Sequence, residues 1–104
     1  SRRTETCPIC KQEDETIMHL LLYCTSLKED RYPYLMRILN ICREFHITIE
    51  PETLTRTILD PSHTALQVPM RSLEEVSRNM MFKLHHQRAI AMGGGSAYKL
   101  AQYK

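Results

Sequence analysis

The sequence predicts a mainly α fold, a small helical domain fronted by a knuckle of cysteines and a histidine. Three observations carry that expectation. A chain of 104 residues has room for one core rather than two. Three cysteines and a histidine crowd together near the N-terminal end, within residues 7–24. Beyond them, apolar residues recur at spacings of three and four, the signature of helices with one buried face. Residues 1–25 read as the knuckle with a short helix, and residues 26–92 as a helical bundle packed on it within one domain. Residues 93–104 read as a Gly-rich hinge and tail.

The knuckle has the spacing Cys7-x2-Cys10-x8-His19-x4-Cys24. Two disulfides are disfavoured, because Cys7 and Cys10 have the spacing of a metal knuckle and no secretory signal follows Ser1-Arg2-Arg3 to point to an oxidising compartment. A thioredoxin-like redox pair would sit near a βαβ pattern, and none is visible. Three thiolates and one imidazole suit a tetrahedral zinc ion, and Pro8 fixes one φ angle in the turn that lets two sulfurs converge. The ligand set is therefore Cys7, Cys10, His19 and Cys24, binding one Zn²⁺. Four protein ligands close the coordination sphere, so the ion is expected to be structural. It would contribute folding energy on the order of 10 kcal/mol to a lobe that lacks a core of its own.

The second half of the knuckle should come from a short helix capped by Asp14 or Thr16, with Ile17, Leu20 and Leu21 at near-helical spacing. His19 would project from its middle, and Cys24 would arrive as it ends. A longer helix is expected from Leu27 to Phe45, capped by Thr25 or Ser26, with Leu27, Tyr34, Leu35, Ile38, Leu39 and Cys42 on its inner face. Pro33 should kink it, or restart it near Tyr32. Cys42 reads as a small buried hydrophobe.

Residues 46–50 read as a loop. Pro51 fits the first position of a helix running to Leu59, packing Leu54, Ile58 and Leu59, before Asp60-Pro61 stops it. A connector spans 62–69, with Leu66 and Val68 docking on the bundle. The last helix opens with the capping box Ser72-Leu73-Glu74-Glu75. Leu73, Val76, Met80, Leu84 and Ala91 form its inner stripe, and Gly93 its C-terminal cap. All three glycines are consecutive, Gly93 to Gly95, followed by Ser96. The run reads as a flexible hinge or as a linker to an appended peptide.

The net charge of +2 hides an asymmetry. Residues 1–75 hold nine basic and twelve acidic side chains, whereas residues 76–104 hold five basic and no acidic ones. No apolar run approaches the roughly 20 residues of a membrane span. Neither a membrane nor a small-molecule substrate is expected as a partner.

The string Cys-Pro-Ile-Cys-Lys-Gln-Glu-Asp-Glu-Thr-Ile-Met-His-Leu-Leu-Leu-Tyr-Cys, residues 7–24, resembles the cysteine-rich motif at the C-terminal end of reverse transcriptases from non-LTR (LINE-like) retrotransposons. The acidic run before the histidine and the leucines after it belong to that likeness. It continues more weakly through Arg31, Ile58-Leu59-Asp60-Pro61 and Leu84-His85-His86-Gln87-Arg88-Ala89, and Thr25 stands where a proline commonly follows the last cysteine. The resemblance implies zinc ligation by Cys7, Cys10, His19 and Cys24. It also implies a module that helps hold RNA or target DNA, with a nuclear target and cytoplasmic assembly, in an active element or in a host protein derived from one. No Tyr-x-Asp-Asp motif and no carboxylate cluster for paired magnesium ions is present, so the chain is expected to be non-catalytic.

Two functional readings follow. In the first, Arg2, Arg3 and Lys11 near the knuckle and Arg78, Lys83 and Arg88 on the last helix neutralise the phosphates of RNA or DNA, and Tyr23, Tyr32 or Tyr34 stacks on a base. Its difficulty is the acidic run Glu13, Asp14 and Glu15 beside a zinc site that is itself formally −1. In the second, the zinc only fixes the shape of a protein-interaction or bracing platform, on whose apolar groove Tyr98, Leu100 and Tyr103 would dock.

Overall fold

A computed structural model describes residues 5–64 and 70–93 of the chain. Among these residues the fold is helical, without a β-strand, and an isolated antiparallel bridge joins Thr6 to Asp14. A π-helical turn, His19–Tyr23, leads through a 3₁₀ turn, Thr25–Leu27, into helix α1, Lys28–Glu44. Helix α2 covers Pro51–Leu59, a 3₁₀ turn covers Pro61–Thr64, and helix α3 covers Met70–Ala91.

Helix α1 runs unbroken through Pro33. The proline lies in the second turn, where it and Glu29 are both exposed. The Glu29 carbonyl that loses its helical donor therefore lies at an exposed residue, and the helix does not restart at Tyr32. Neither Thr25 nor Ser26 caps it. The preceding 3₁₀ turn does so, with the Lys28 N–H donating to the Thr25 carbonyl, and Glu29 and Asp30 add negative charge at the dipole's positive end.

The end of α1 is a Schellman motif in which His46 takes the left-handed place usually given to glycine, with φ 59°. The Ile47 N–H donates to the Cys42 carbonyl at 2.8 Å and the His46 N–H to that of Arg43 at 3.3 Å, closing the last turn. Residues 47–50 then form the expected loop.

Helix α2 has Pro51 at its first position and buries Leu54 and Ile58. Leu59 instead turns outward and is 44% exposed. Its inner face also takes Thr55 and Thr57, whose hydroxyls donate back to the Pro51 and Thr53 carbonyls and are thereby satisfied.

Helix α3 begins at Met70, so Ser72 is its third residue rather than its cap, and the predicted capping box is not formed. A serine is tolerated there because first-turn amides lack helical acceptors in any case. Leu73, Val76, Met80 and Leu84 are buried as expected, and the same stripe includes Ser77. Ala91 lies beyond the packed length and is exposed. Gly93, with φ 81°, supplies the left-handed cap.

The core is continuous. Helices α1 and α3 make the main contact, and Ile38, Cys42, Leu54, Ile58, Val76 and Met80 share one buried cluster with Cys7, Leu21, Cys24 and Leu27 from the knuckle side. Met81 is half-buried against that cluster, whereas Met92 is exposed. The connector residues Leu66 and Val68, the arginines Arg2 and Arg3, and the tail residues Tyr98, Leu100 and Tyr103 lie outside the described residues. Among the described residues no helix is long and apolar enough to cross a membrane.

Candidate metal centre and nucleic-acid surface

The first half of the knuckle is a tight turn. The Lys11 N–H donates to the Cys7 carbonyl at 2.9 Å, the Cys7 N–H donates to the Glu13 carbonyl at 2.8 Å, and Lys11 takes a left-handed φ of 59°. The chain thereby reverses direction over Pro8 and Ile9, and both cysteines face the same side.

The second half depends on the π turn. Thr16, not Asp14, caps the helical residues Ile17 and Met18 that lead into it, its hydroxyl accepting from the His19 N–H at 3.0 Å. The Cys24 N–H then donates to the His19 carbonyl at 2.7 Å, five residues back. In an α-helix, residues five apart point about 140° from one another. The wider π turn brings His19 and Cys24 to the same side, which is how a spacing of four intervening residues yields two convergent ligands. Leu20 and Leu21 are buried beneath the turn, while Ile17 faces out.

The four ligand atoms lie within 4.8 Å of one another. Cys7 Sγ and Cys24 Sγ are 3.9 Å apart, and Cys10 Sγ is 3.4 Å from His19 Nε2. A tetrahedral zinc ion with sulfur at about 2.3 Å and nitrogen at about 2.0 Å sets its ligands about 3.8 Å apart sulfur to sulfur and about 3.5 Å sulfur to nitrogen. The residues present therefore fit a Cys₃His site. When bound, the ion supplies cross-linking charge and geometry. Cys7, His19 and Cys24 are buried and Cys10 is half-buried.

The electrostatics of the cluster suit a cation. The backbone N–H groups of Gln12 and Glu13, with His19, hold the Cys10 thiol down at about 7, whereas burial pushes Cys24 up to about 11. Cys10 is thus far readier to ionise than an ordinary thiol, whereas Cys24 needs positive charge beside it to do so.

Three residues around the ligands were not assigned this role by spacing. Glu13 Oε1 lies 3.4 Å from His19 Nδ1, an ion-pair distance without hydrogen-bond alignment, on the side of the ring away from the sulfurs. A carboxylate on that side of the ring stands where the outer nitrogen of a ligating imidazole usually finds its partner. Arg31 is only 4% exposed and donates through Nη2 to the Cys24 carbonyl at 2.8 Å and the Leu20 carbonyl at 3.2 Å. Its charge lies against the formally negative site and ties α1 to the end of the π turn. Glu15 pairs with Arg88 Nε, joining α3 to the knuckle.

The basic residues named from sequence do not form one face. Arg78 is exposed and Lys83 half-buried, and five residues apart on α3 they diverge by about 140°. Arg88 is engaged by Glu15, and Lys11 is exposed on the knuckle turn. Tyr23 and Tyr32 present large aromatic surfaces beside the π turn, 48% and 59% exposed, while Tyr34 is half-buried. No protein-family model matches the chain, and no curated protein or solved structure is detectably similar to it.

Proposed function

We propose that this chain is a zinc-stabilised nucleic-acid-binding module, non-catalytic by itself, of the kind found at the C-terminal end of non-LTR retrotransposon reverse transcriptases. The observation that carries the reading is the distribution of charge around the knuckle. From Val76 onward α3 presents basic side chains and no carboxylate, while one of the three knuckle acids, Glu15, is paired with Arg88. Glu15 of the acidic run is thereby drawn into the bracing of the metal site. Zinc serves shape, and RNA or DNA is the partner.

The test is binding of the zinc-loaded chain to labelled single-stranded RNA, structured RNA and duplex DNA across a salt series, beside an Arg78→Ala, Lys83→Ala variant. Submillimolar affinity with a salt slope that shrinks by about one per lost phosphate contact is the expected result. Negligible binding at low salt, with zinc bound and helicity intact, contradicts the reading.

A second reading has its own observation. A groove of about 410 Å³ between α2 and α3 is lined by Ile58, Leu59, Met81 and Phe82, and Leu59 and Phe82 are largely exposed there. Such a surface favours a protein-interaction or bracing role, to which a negative nucleic-acid result would point.

A further inference from the structure

We infer that the cleft between the end of the π turn and the first turns of α1 receives one unstacked base of a single-stranded nucleic acid, with Lys28 on the adjoining phosphate. This rests on the nucleic-acid reading above and gives it a place and a chemistry that the basic residues of α3 do not provide.

The cleft measures about 270 Å³ and lies among Leu22, Tyr23, Lys28, Arg31, Tyr32 and Leu35. That is below the roughly 300–1,000 Å³ of drug-sized pockets, and it suits a single planar ring system. Tyr23 and Tyr32 are about half exposed, so two aromatic rings border it with much of their surface in water. Leu22 and Leu35 are half-buried and supply apolar surface between them. Among the described residues no carboxylate lines it, although Glu29 and Asp30 belong to the same helix.

Its charge is positive. Lys28 is exposed, and Arg31, almost fully buried, keeps its Nε without a hydrogen-bond partner while Nη2 is spent on two carbonyls. Aromatic faces beside cations, with apolar surface between, are what an extruded base and its phosphate recognise. A duplex keeps its bases stacked and cannot fill the cleft without unpairing. Stacking is also indifferent to base identity, so the cleft gives strand selectivity rather than sequence selectivity.

The test measures binding of fluorescent oligouridine, oligothymidine and a duplex DNA to the full zinc-loaded chain. The variants are Tyr23→Ala with Tyr32→Ala, Tyr23→Phe with Tyr32→Phe, and Lys28→Ala. The alanine pair should weaken the single strands by about 10- to 100-fold and leave duplex binding within about twofold. The phenylalanine pair, which keeps both ring faces, should bind like the parent. The two oligonucleotides compare RNA with DNA as the source of the base. Full single-strand affinity in the alanine pair, or equal loss for duplex and single strand, overturns the base cleft while leaving nucleic-acid binding standing. Absence of binding by the parent chain to every probe overturns both. Zinc content and far-UV circular dichroism of each variant accompany the titrations, and Lys28→Ala keeps the comparison decisive if the alanine pair unfolds: its single-strand salt slope should shrink by about one, and an unchanged slope overturns the cleft.

Discussion

Glu13 is a surface carboxylate by exposure and a metal-site residue by position, 3.4 Å from the ring nitrogen of His19 that faces away from the sulfurs. Such partners typically contribute 10- to 100-fold in metal affinity. Because Glu13 remains largely in water, we expect Glu13→Gln to weaken zinc binding by about 10-fold, measured by competition with a chromophoric chelator; unchanged affinity would reduce Glu13 to a bystander. Arg31 is a larger matter, since two carbonyls at the end of the π turn rely on it. Arg31→Ala should destabilise the zinc-loaded chain by about 2–4 kcal/mol, read from denaturant unfolding. His85 titrates in the opposite sense from a paired histidine. Burial, with the charge of Arg88 adding to it, lowers its pKa below the usual 6.5. The unfolded chain therefore binds that proton more readily. The corresponding stability is complete above about 6.5 and is lost as pH falls toward the lower folded value. An imidazole titration by NMR should place its midpoint under 6.5, and a midpoint above it would contradict the burial.

At the level of elements, the same interval has two opposite consequences. His19 and Cys24 converge because a π turn closes over five residues, whereas Arg78 and Lys83, also five apart, diverge on an ordinary α-helix. Spacing alone names the candidate metal ligands because such chemistry demands convergence, but it cannot announce a π turn, and it groups basic residues that the helix separates. Pro51 and Asp60-Pro61 mark α2 at both ends, so its bounds are read from the sequence, although Leu59 turns outward. The end of α1 is harder, for its left-handed cap is His46 where a glycine would have advertised it. Since a non-glycine left-handed residue costs about 1–2 kcal/mol and glycine adds back about 0.5–1 kcal/mol of chain entropy, His46→Gly should stabilise the fold by roughly 0.5–1 kcal/mol. A rise in melting temperature checks this, and a fall would mean that the imidazole makes a contact worth more than the strain. The absent capping box of α3 shows the converse error: Ser72 and Glu75 have the pattern, but Met70 and Arg71 are already helical.

Over the whole molecule, the metal cluster and the helical core are one body. Cys7 and Cys24 share a buried cluster with Ile38, Val76 and Met80, and Arg31 and the Arg88–Glu15 pair link α1 and α3 to the knuckle. The helical class and the four ligands were legible because periodicity and soft-ligand spacing are local signals. The joints were not, because Arg31 and Arg88 look like any surface arginine until the chain folds them against carbonyls seven and eleven residues away and a carboxylate 73 residues away. A zinc ion at this junction should therefore hold the helices as well as the knuckle. The most direct test is X-ray absorption at the zinc edge of the loaded chain, paired with circular dichroism before and after chelation. We predict one zinc per chain with three sulfurs at about 2.3 Å and one nitrogen at about 2.0 Å, and a cooperative loss of helix on chelation. A shell with fewer sulfurs, or helicity untouched by metal removal, would contradict the account.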